Sequence, residues 1–169
     1  MKTRSVYLTR HRVTSKDLEK LKEPDRYYPP YPLTTKMWYS PLVEADWKIV
    51  KEKFNKVQIA LTNRCNLLCK VCYASSHPSD FSMEMSKKRF IEILRKIGRN
   101  KRVILIGGEP TVREDILDLV DLVRKSGNFP EIYTNGIKLA NFSFAEELFK
   151  RGVKRFYFSF EGFDKKYYE

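Results

Sequence analysis

Residues 65–72 read Cys-Asn-Leu-Leu-Cys-Lys-Val-Cys and hold all 3 cysteines of this 169-residue chain. A secreted disulfide scaffold normally has an even number of cysteines, spread along its length. A structural zinc site takes four ligands, and an iron–sulfur cluster normally takes four thiolates. Three thiolates on a four-iron cluster leave one iron open to a group that is not protein, which indicates a catalytic cluster. The residues leave two alternatives open, namely zinc ligands and small buried apolar side chains.

The overall composition is that of one globular domain, because 42% of the residues are hydrophobic and the chain has the length of a single domain. We expect neither a transmembrane segment nor a signal peptide, and hence a cytoplasmic protein, since no long apolar run is present. The net charge of +12 attracts anions, although no motif supports a nucleic-acid partner. Numerous lysines and glutamates equally fit the surface of a thermophilic protein.

Residues 1–56 are predicted to form an irregular N-terminal arm that is basic and rich in aromatic residues and proline. Four prolines between Pro24 and Pro32 disfavour a helix there and favour an extended path. The arm either wraps the outside of the domain and buries its rings, or presents a basic aromatic surface to a nucleic acid or a lipid headgroup.

From residue 57 onwards, the pattern alternates between strands and helices. The predicted strands are 57–61, 102–106, 131–134 and 154–160. The predicted helices follow Ser86, a capping box at 111–114 and a second capping box at 143–146. This alternation predicts an α/β fold with a parallel sheet and right-handed crossovers. The basic run 95–102 joins a helix to a strand, and we expect it to be a solvated loop.

The loops that follow the four predicted strands contain the unusual residues of the chain. They are the cysteine loop, Gly-Gly-Glu-Pro at 107–110, Thr-Asn-Gly at 134–136 and Glu-Gly at 161–162. Such loops meet at one edge of a parallel sheet, where ligands bind. On the fourth strand the phenylalanines should face the helices, and Tyr157, Ser159 and Glu161 the opposite side.

The spacing Cys-x3-Cys-x2-Cys, with Thr-Asn-Arg at 62–64 before it and Tyr73 after it, resembles the signature of the radical S-adenosylmethionine (SAM) enzymes. The resemblance implies that Cys65, Cys69 and Cys72 bind three irons of a [4Fe–4S] cluster, while SAM chelates the fourth. It also implies reductive cleavage of SAM to a 5′-deoxyadenosyl radical, which abstracts hydrogen from a substrate that the sequence does not identify. A one-electron donor such as ferredoxin or flavodoxin is the implied partner.

The later motifs follow the order found in the same family. Gly107, Gly108 and Glu109 resemble its SAM motif, which implies that they hold the methionine amino group. By position, three further residues are implied SAM contacts: Thr134, Asn135 and Ser159. Two positions depart from the family pattern, because Val71 stands where an aromatic residue is common and Glu161 where Asp is common.

The resemblance covers about residues 55–169 and implies a parallel (β/α) partial barrel of the radical SAM type, truncated to about four βα units over 57–169. We therefore expect the N-terminal portion of such an enzyme, with a missing C-terminal half or self-association through the edge of strand four. The alternatives are an inactive fragment that binds a cluster, and a nucleic-acid or lipid-surface binding protein with a structural cluster.

Overall fold

The computed structural model describes residues 5–8, 47–69, 72, 74, 76–81 and 84–160. Its centre is a five-stranded sheet in which every neighbouring pair of strands is parallel, in the order β1-β2-β3-β4-β5. The strands are β1 (Ser5–Leu8), β2 (Lys56–Ala60), β3 (Arg102–Ile106), β4 (Phe129–Thr134) and β5 (Phe156–Phe158). The predicted α/β class with a parallel sheet is confirmed.

Within the described residues, four α-helices accompany the sheet, and two short 3-10 helices lie at its carboxyl edge. The α-helices are α1 (Trp47–Lys53), α2 (Lys87–Ile97), α3 (Ile116–Lys125) and α4 (Phe142–Lys150), and the 3-10 helices are Pro110–Val112 and Ile137–Ala140. Helix α2 begins where the sequence predicts, since the Ser86 side chain accepts a hydrogen bond from the Arg89 amide.

The hydrophobic core lies between these helices and one face of the sheet. Alternate strand residues supply the sheet side of the core, including Val57, Ile59, Val103, Leu105 and Ile132. Each is fully or almost fully buried, as the period of two along a strand requires when one face is covered. The intervening strand residues lie on the opposite face of the sheet.

Strand β1 and helix α1 were not predicted, because both fall within the segment expected to be irregular. Strand β1 is only four residues long and lies first in the strand order, and among the described strands it pairs with β2. Its four residues follow a basic stretch and are too few to show a clear apolar alternation. In α1, Trp47 packs against the core, whereas the proline-rich part of the arm lies outside the described residues.

Both predicted capping boxes are wrong. Thr111 lies in the first 3-10 helix and binds Glu109 instead of Glu114, and α3 begins later, at Ile116. In α4 the N-cap is Asn141, whose side chain accepts from the Phe144 amide. Asn and Ser are similar N-cap residues, so the helix can begin after Asn141 although the capping-box spacing points to Ser143.

Strand β5 is shorter than predicted, because it spans only three residues. Phe156 packs against the core as expected, whereas Phe158 and Phe160 are 61% and 62% exposed. Among the described strands β5 is last in the order and pairs with β4 alone. Phe156 thus faces the helices as expected, while most of the surface of Phe158 and Phe160 is uncovered.

The basic run 95–102 is not uniformly solvated. Lys101 is 8% exposed, and its ammonium donates hydrogen bonds to the carbonyls of Lys51 and Phe54 at 2.5 and 2.6 Å. Burial lowers the pKa of this amine, and the charge of Lys51 lowers it further. Lys101 thus ties the carboxyl end of α1 to the start of β3.

In the part of the chain that the structure describes, no helix has both the length and the apolar character needed to span a bilayer.

Candidate functional site

The cysteine loop leaves the carboxyl end of β2 and places all three thiols in half-buried positions. Its own backbone supplies hydrogen bonds to two of the sulfurs. The Leu67 amide donates to Cys65 Sγ at 3.4 Å, and the Ser76 amide donates to Cys72 Sγ at 3.5 Å. The Cys72 amide also donates to the Cys69 carbonyl at 3.1 Å, which links the second and third cysteines.

The electrostatic environment of Cys65 is unfavourable to a bare thiolate. Burial raises the pKa of the Cys65 thiol, and the nearby charges of Glu109, Cys72 and Cys69 raise it further, while the Leu67 amide opposes them. These interactions place the three thiols and one carboxylate within electrostatic reach of each other. A bound cationic metal centre would reverse this penalty, because a coordinated thiol is deprotonated outright.

The arrangement of the thiols fits a cluster. Among the described residues, no three His, Cys, Asp or Glu side chains are grouped closely enough to hold a single metal ion. A four-iron cluster binds each thiolate at a separate iron, so its ligands surround a space instead of converging on a point. The chain offers three half-buried thiols in one loop, two of which accept an amide hydrogen bond, and thiolates are the usual ligands of such a cluster.

Gly107 and Gly108 bring the loop after β3 into contact with the strand end that leads to the cysteines. A Cβ on Gly107, whose φ is +151°, would collide with the Thr62 carbonyl, and one on Gly108 with the Arg64 carbonyl. The close approach allows two backbone hydrogen bonds. The Gly108 amide donates to the Thr62 carbonyl at 2.9 Å, and the Glu109 amide donates to the Arg64 carbonyl at 2.8 Å. The glycines permit approach to the protein's own backbone, in addition to any ligand contact.

Glu109 lies at the carboxyl edge of the sheet, in the loop after β3, and is only 1% exposed. Its Oε1 accepts hydrogen bonds from the Thr111 amide (3.0 Å), the Thr111 hydroxyl (2.6 Å) and the Thr134 hydroxyl (2.9 Å). Its Oε2 accepts from the Asn135 amide at 2.7 Å. A carboxylate offers about four lone-pair sites, and the chain itself supplies four donors, three of them to Oε1 and one to Oε2. The carboxylate therefore joins the loops after β3 and β4, and its contact with SAM stays a prediction.

Asn135 extends this connection to the cysteine loop. Its side-chain nitrogen donates to the Asn66 side-chain oxygen at 2.7 Å and lies 3.8 Å from Cys65 Sγ, within hydrogen-bonding range for sulfur. Three loops that lie far apart in sequence thus meet at one point, as the parallel topology predicts.

A second polar network, which the sequence does not predict, holds Glu84 after the cysteine loop against the end of β2. Glu84 accepts from the Thr62 hydroxyl at 2.9 Å, from Arg64, and from Arg113 at 2.5 Å. Arg113 is 6% exposed and also donates to the Leu61 carbonyl at 2.9 Å. Nothing in the local sequence pattern marks Glu84 as the acceptor for two arginines, because its partners are 20 and 29 residues away.

The face of the sheet opposite the core carries an ion pair whose carboxylate is buried. Glu131, 6% exposed, accepts from Arg102 at 2.5 and 2.9 Å and from the Tyr157 hydroxyl at 2.8 Å. The Tyr157 ring stacks on Tyr133 with centroids 4.6 Å apart. The bond to Glu131 raises the pKa of Arg102, whereas burial is the main cause that raises the pKa of Tyr157. Tyr157 therefore lies on the face that its alternation with the phenylalanines predicts.

Thr134 and Ser159, two further residues predicted to contact SAM, lie at or beside the loop after β4. Thr134 is 3% exposed and donates its hydroxyl hydrogen to Glu109, so its side chain is enclosed in the network. Ser159 is exposed, and its amide donates to the Thr134 carbonyl at 3.0 Å, which sets it beside the loop after β4. Val71, Tyr73 and Glu161 lie outside the described residues.

Comparisons with known proteins identify the family. The family model of the Radical SAM superfamily matches residues 59–169. The chain is 40% identical over 115 residues to a 7,8-dihydro-6-hydroxymethylpterin dimethyltransferase of Methanocaldococcus jannaschii, covering 65% of this chain and 23% of that protein. It is 37% identical over 117 residues to a GTP 3′,8-cyclase of Clostridium perfringens, covering 63% and 35%. The chain thus spans about a third or less of the length of these relatives.

A solved structure of BtrN in an open conformation matches the fold with a TM-score of 0.53 and 24% sequence identity, over 68% of this chain and 54% of that one. The family match includes the last two residues of β2 and all of β3, β4 and β5, together with the cysteine loop and the loops after β3 and β4. The chain belongs to the Radical SAM superfamily.

Proposed function

We propose that this chain binds a [4Fe–4S] cluster and SAM and supports reductive cleavage of SAM, as the N-terminal portion of an enzyme that abstracts hydrogen from its substrate. The observation that carries the proposal is the meeting of three motif loops at one edge of the sheet, where Asn135 contacts both Cys65 and Asn66. When bound, the cluster supplies the electron whose transfer to SAM generates methionine and a 5′-deoxyadenosyl radical. The external donor is a one-electron carrier of the ferredoxin or flavodoxin class.

The residues of the chain divide this work between them. Cys65, Cys69 and Cys72 would hold three irons, and the amides of Leu67 and Ser76 stabilise thiolate charge on two of those sulfurs. The loop after β3, with Gly107 and Gly108 against the chain leading to the cysteines, would receive the methionine end of SAM. Glu109 holds that loop against the loop after β4 by accepting hydrogen bonds from Thr134 and Asn135.

The substrate is proposed only as a class. The two relatives named above act, by their names, on a pterin and on GTP, both of which carry a planar nitrogen heterocycle. The face of the sheet away from the core presents the stacked rings of Tyr133 and Tyr157, of which Tyr133 is 38% exposed. Aromatic faces of this kind favour stacking with a planar ring.

The test is anaerobic reconstitution of the chain with iron and sulfide, followed by an assay for 5′-deoxyadenosine with dithionite and SAM. We expect about four irons per chain, since three thiolates suffice for one cluster with an open iron. Alanine at any of the three cysteines should abolish both the iron and the product. Iron uptake without 5′-deoxyadenosine would support the inactive cluster-binding fragment, and stoichiometric zinc without iron would refute the proposal.

A further inference from the structure

The side chain of Asn135 is held in one orientation. Its backbone amide donates to Glu109 Oε2 at 2.7 Å, and its side-chain Oδ1 accepts from the Ile137 amide at 3.1 Å. A backbone amide can only donate, so the atom that faces Ile137 must be the oxygen, and the NH2 group must point the other way. The choice between the two amide orientations is therefore decided by the hydrogen-bond pattern.

The NH2 group of Asn135 is directed at the cysteine loop. One hydrogen is donated to Asn66 Oδ1 at 2.7 Å, and the nitrogen lies 3.8 Å from Cys65 Sγ. Cys65 also receives the Leu67 amide at 3.4 Å. The sulfur of Cys65 is thus approached by two N–H donors, one from its own loop and one from the loop after β4.

We propose that Asn135 tunes the reduction potential of the cluster through a hydrogen bond from its side-chain amide to the Cys65 sulfur, a role distinct from the SAM contact that the family resemblance implies. The inference rests on the proposed function, since it requires the cluster. Reduction adds one electron from an external low-potential donor and moves no proton. The added negative charge strengthens an N–H···S bond, so this bond favours the reduced state and raises the potential.

Glu109 acts in this arrangement as a positioning residue. It is buried and holds the backbone of Asn135 by accepting a hydrogen bond from its amide. Its anchoring restricts the Asn135 side chain to the distance at which the contact with Cys65 forms. The control of the potential thus depends on the connection between the loops after β3 and β4, and not on the cysteine loop alone.

The experiment is a potentiometric titration of the reconstituted chain, followed by the electron paramagnetic resonance signal of the reduced cluster in the absence of SAM. Asn135→Ala should decrease the equilibrium constant for one-electron reduction about tenfold, which is about 59 mV toward lower potential. Asn135→Asp should shift it at least as far, because the carboxylate keeps an acceptor for Ile137 but removes the donor and adds a negative charge. Asn66→Ala is the matched control, since it removes the other partner of the same NH2 group and leaves the donor to Cys65 in place, so its shift should be smaller.

Iron content and visible absorption are measured first, and they separate this inference from the proposed function. A wild-type chain that takes up no iron refutes both. If the wild type and Asn135→Ala both load the cluster and have equal potentials, the inference alone is overturned. Weakened SAM binding in that variant at an unchanged potential would instead make Asn135 a ligand contact. If Asn135→Ala does not load iron, the potential of Asn135→Asp decides.

Discussion

Replacing Glu109 with alanine should destabilise the fold as well as the site, because this carboxylate connects two loops inside the protein. The change removes the acceptor of four hydrogen bonds at a residue that is 1% exposed. The hydroxyls of Thr111 and Thr134 can rotate toward other acceptors, but the amides of Thr111 and Asn135 cannot. Two buried unpaired amides cost about 1–3 kcal/mol each, and relief of the buried charge offsets part of this, so we expect a net loss of about 2–4 kcal/mol.

Urea unfolding of the anaerobic metal-free chain measures this loss as a lower midpoint at an unchanged slope. Glu114→Ala is the matched control, because Glu114 is an exposed glutamate five residues further on, and its substitution should change the stability by less than about 0.5 kcal/mol. In the loaded protein Glu109→Ala should also weaken SAM binding roughly 10- to 100-fold, as a lost charge-assisted hydrogen bond or a displaced loop would. If the Glu109→Ala variant unfolds at the same urea concentration as the wild type, the four hydrogen bonds do not hold the loops together.

Three further outcomes are expected. Lys101→Met should lower the free energy of unfolding by about 1–3 kcal/mol in urea titrations, because two buried carbonyls lose a charged donor; a wild-type midpoint would contradict this. The raised pKa of Tyr157 means that the folded state keeps a proton that the unfolded chain releases, so stability should fall as the pH rises above about 10, and less steeply in Tyr157→Phe; equal slopes would count against the buried hydroxyl. We propose that the chain self-associates through the sheet edge at β5, where Phe158 and Phe160 are 61% and 62% exposed. Serine at both positions should increase the monomer fraction in light-scattering chromatography, and an already monomeric wild type would overturn the idea.

The sequence predicts β2, β3 and β4, the start of α2 and the common edge of the motif loops, because these depend on local patterns. Apolar runs bounded by turn residues mark the strands, and Ser86 marks a helix start. Parallel topology then brings the loop ends together whatever the details of packing. The alternation of strands and helices from β2 to β5 can therefore be predicted from the local sequence.

The partners of individual polar groups could not be predicted, because they depend on tertiary contacts. Thr111 has the spacing of a capping box with Glu114, yet it binds Glu109, which the fold buries beside it. Lys101 looks like one of several solvated basic residues, yet the end of α1 supplies two carbonyls for it. Glu84 carries no motif, and only the return of the chain past the strand end gives it two arginines.

The most direct test of the central claim is Mössbauer spectroscopy of the iron-57 reconstituted chain with and without SAM. If Cys65, Cys69 and Cys72 hold a four-iron cluster with one open iron, about a quarter of the iron signal should change when SAM is added, and the rest should stay as thiolate-bound iron. The same sample of the Cys69→Ala variant should contain no cluster. A spectrum that SAM leaves unchanged in the loaded wild type would contradict the account.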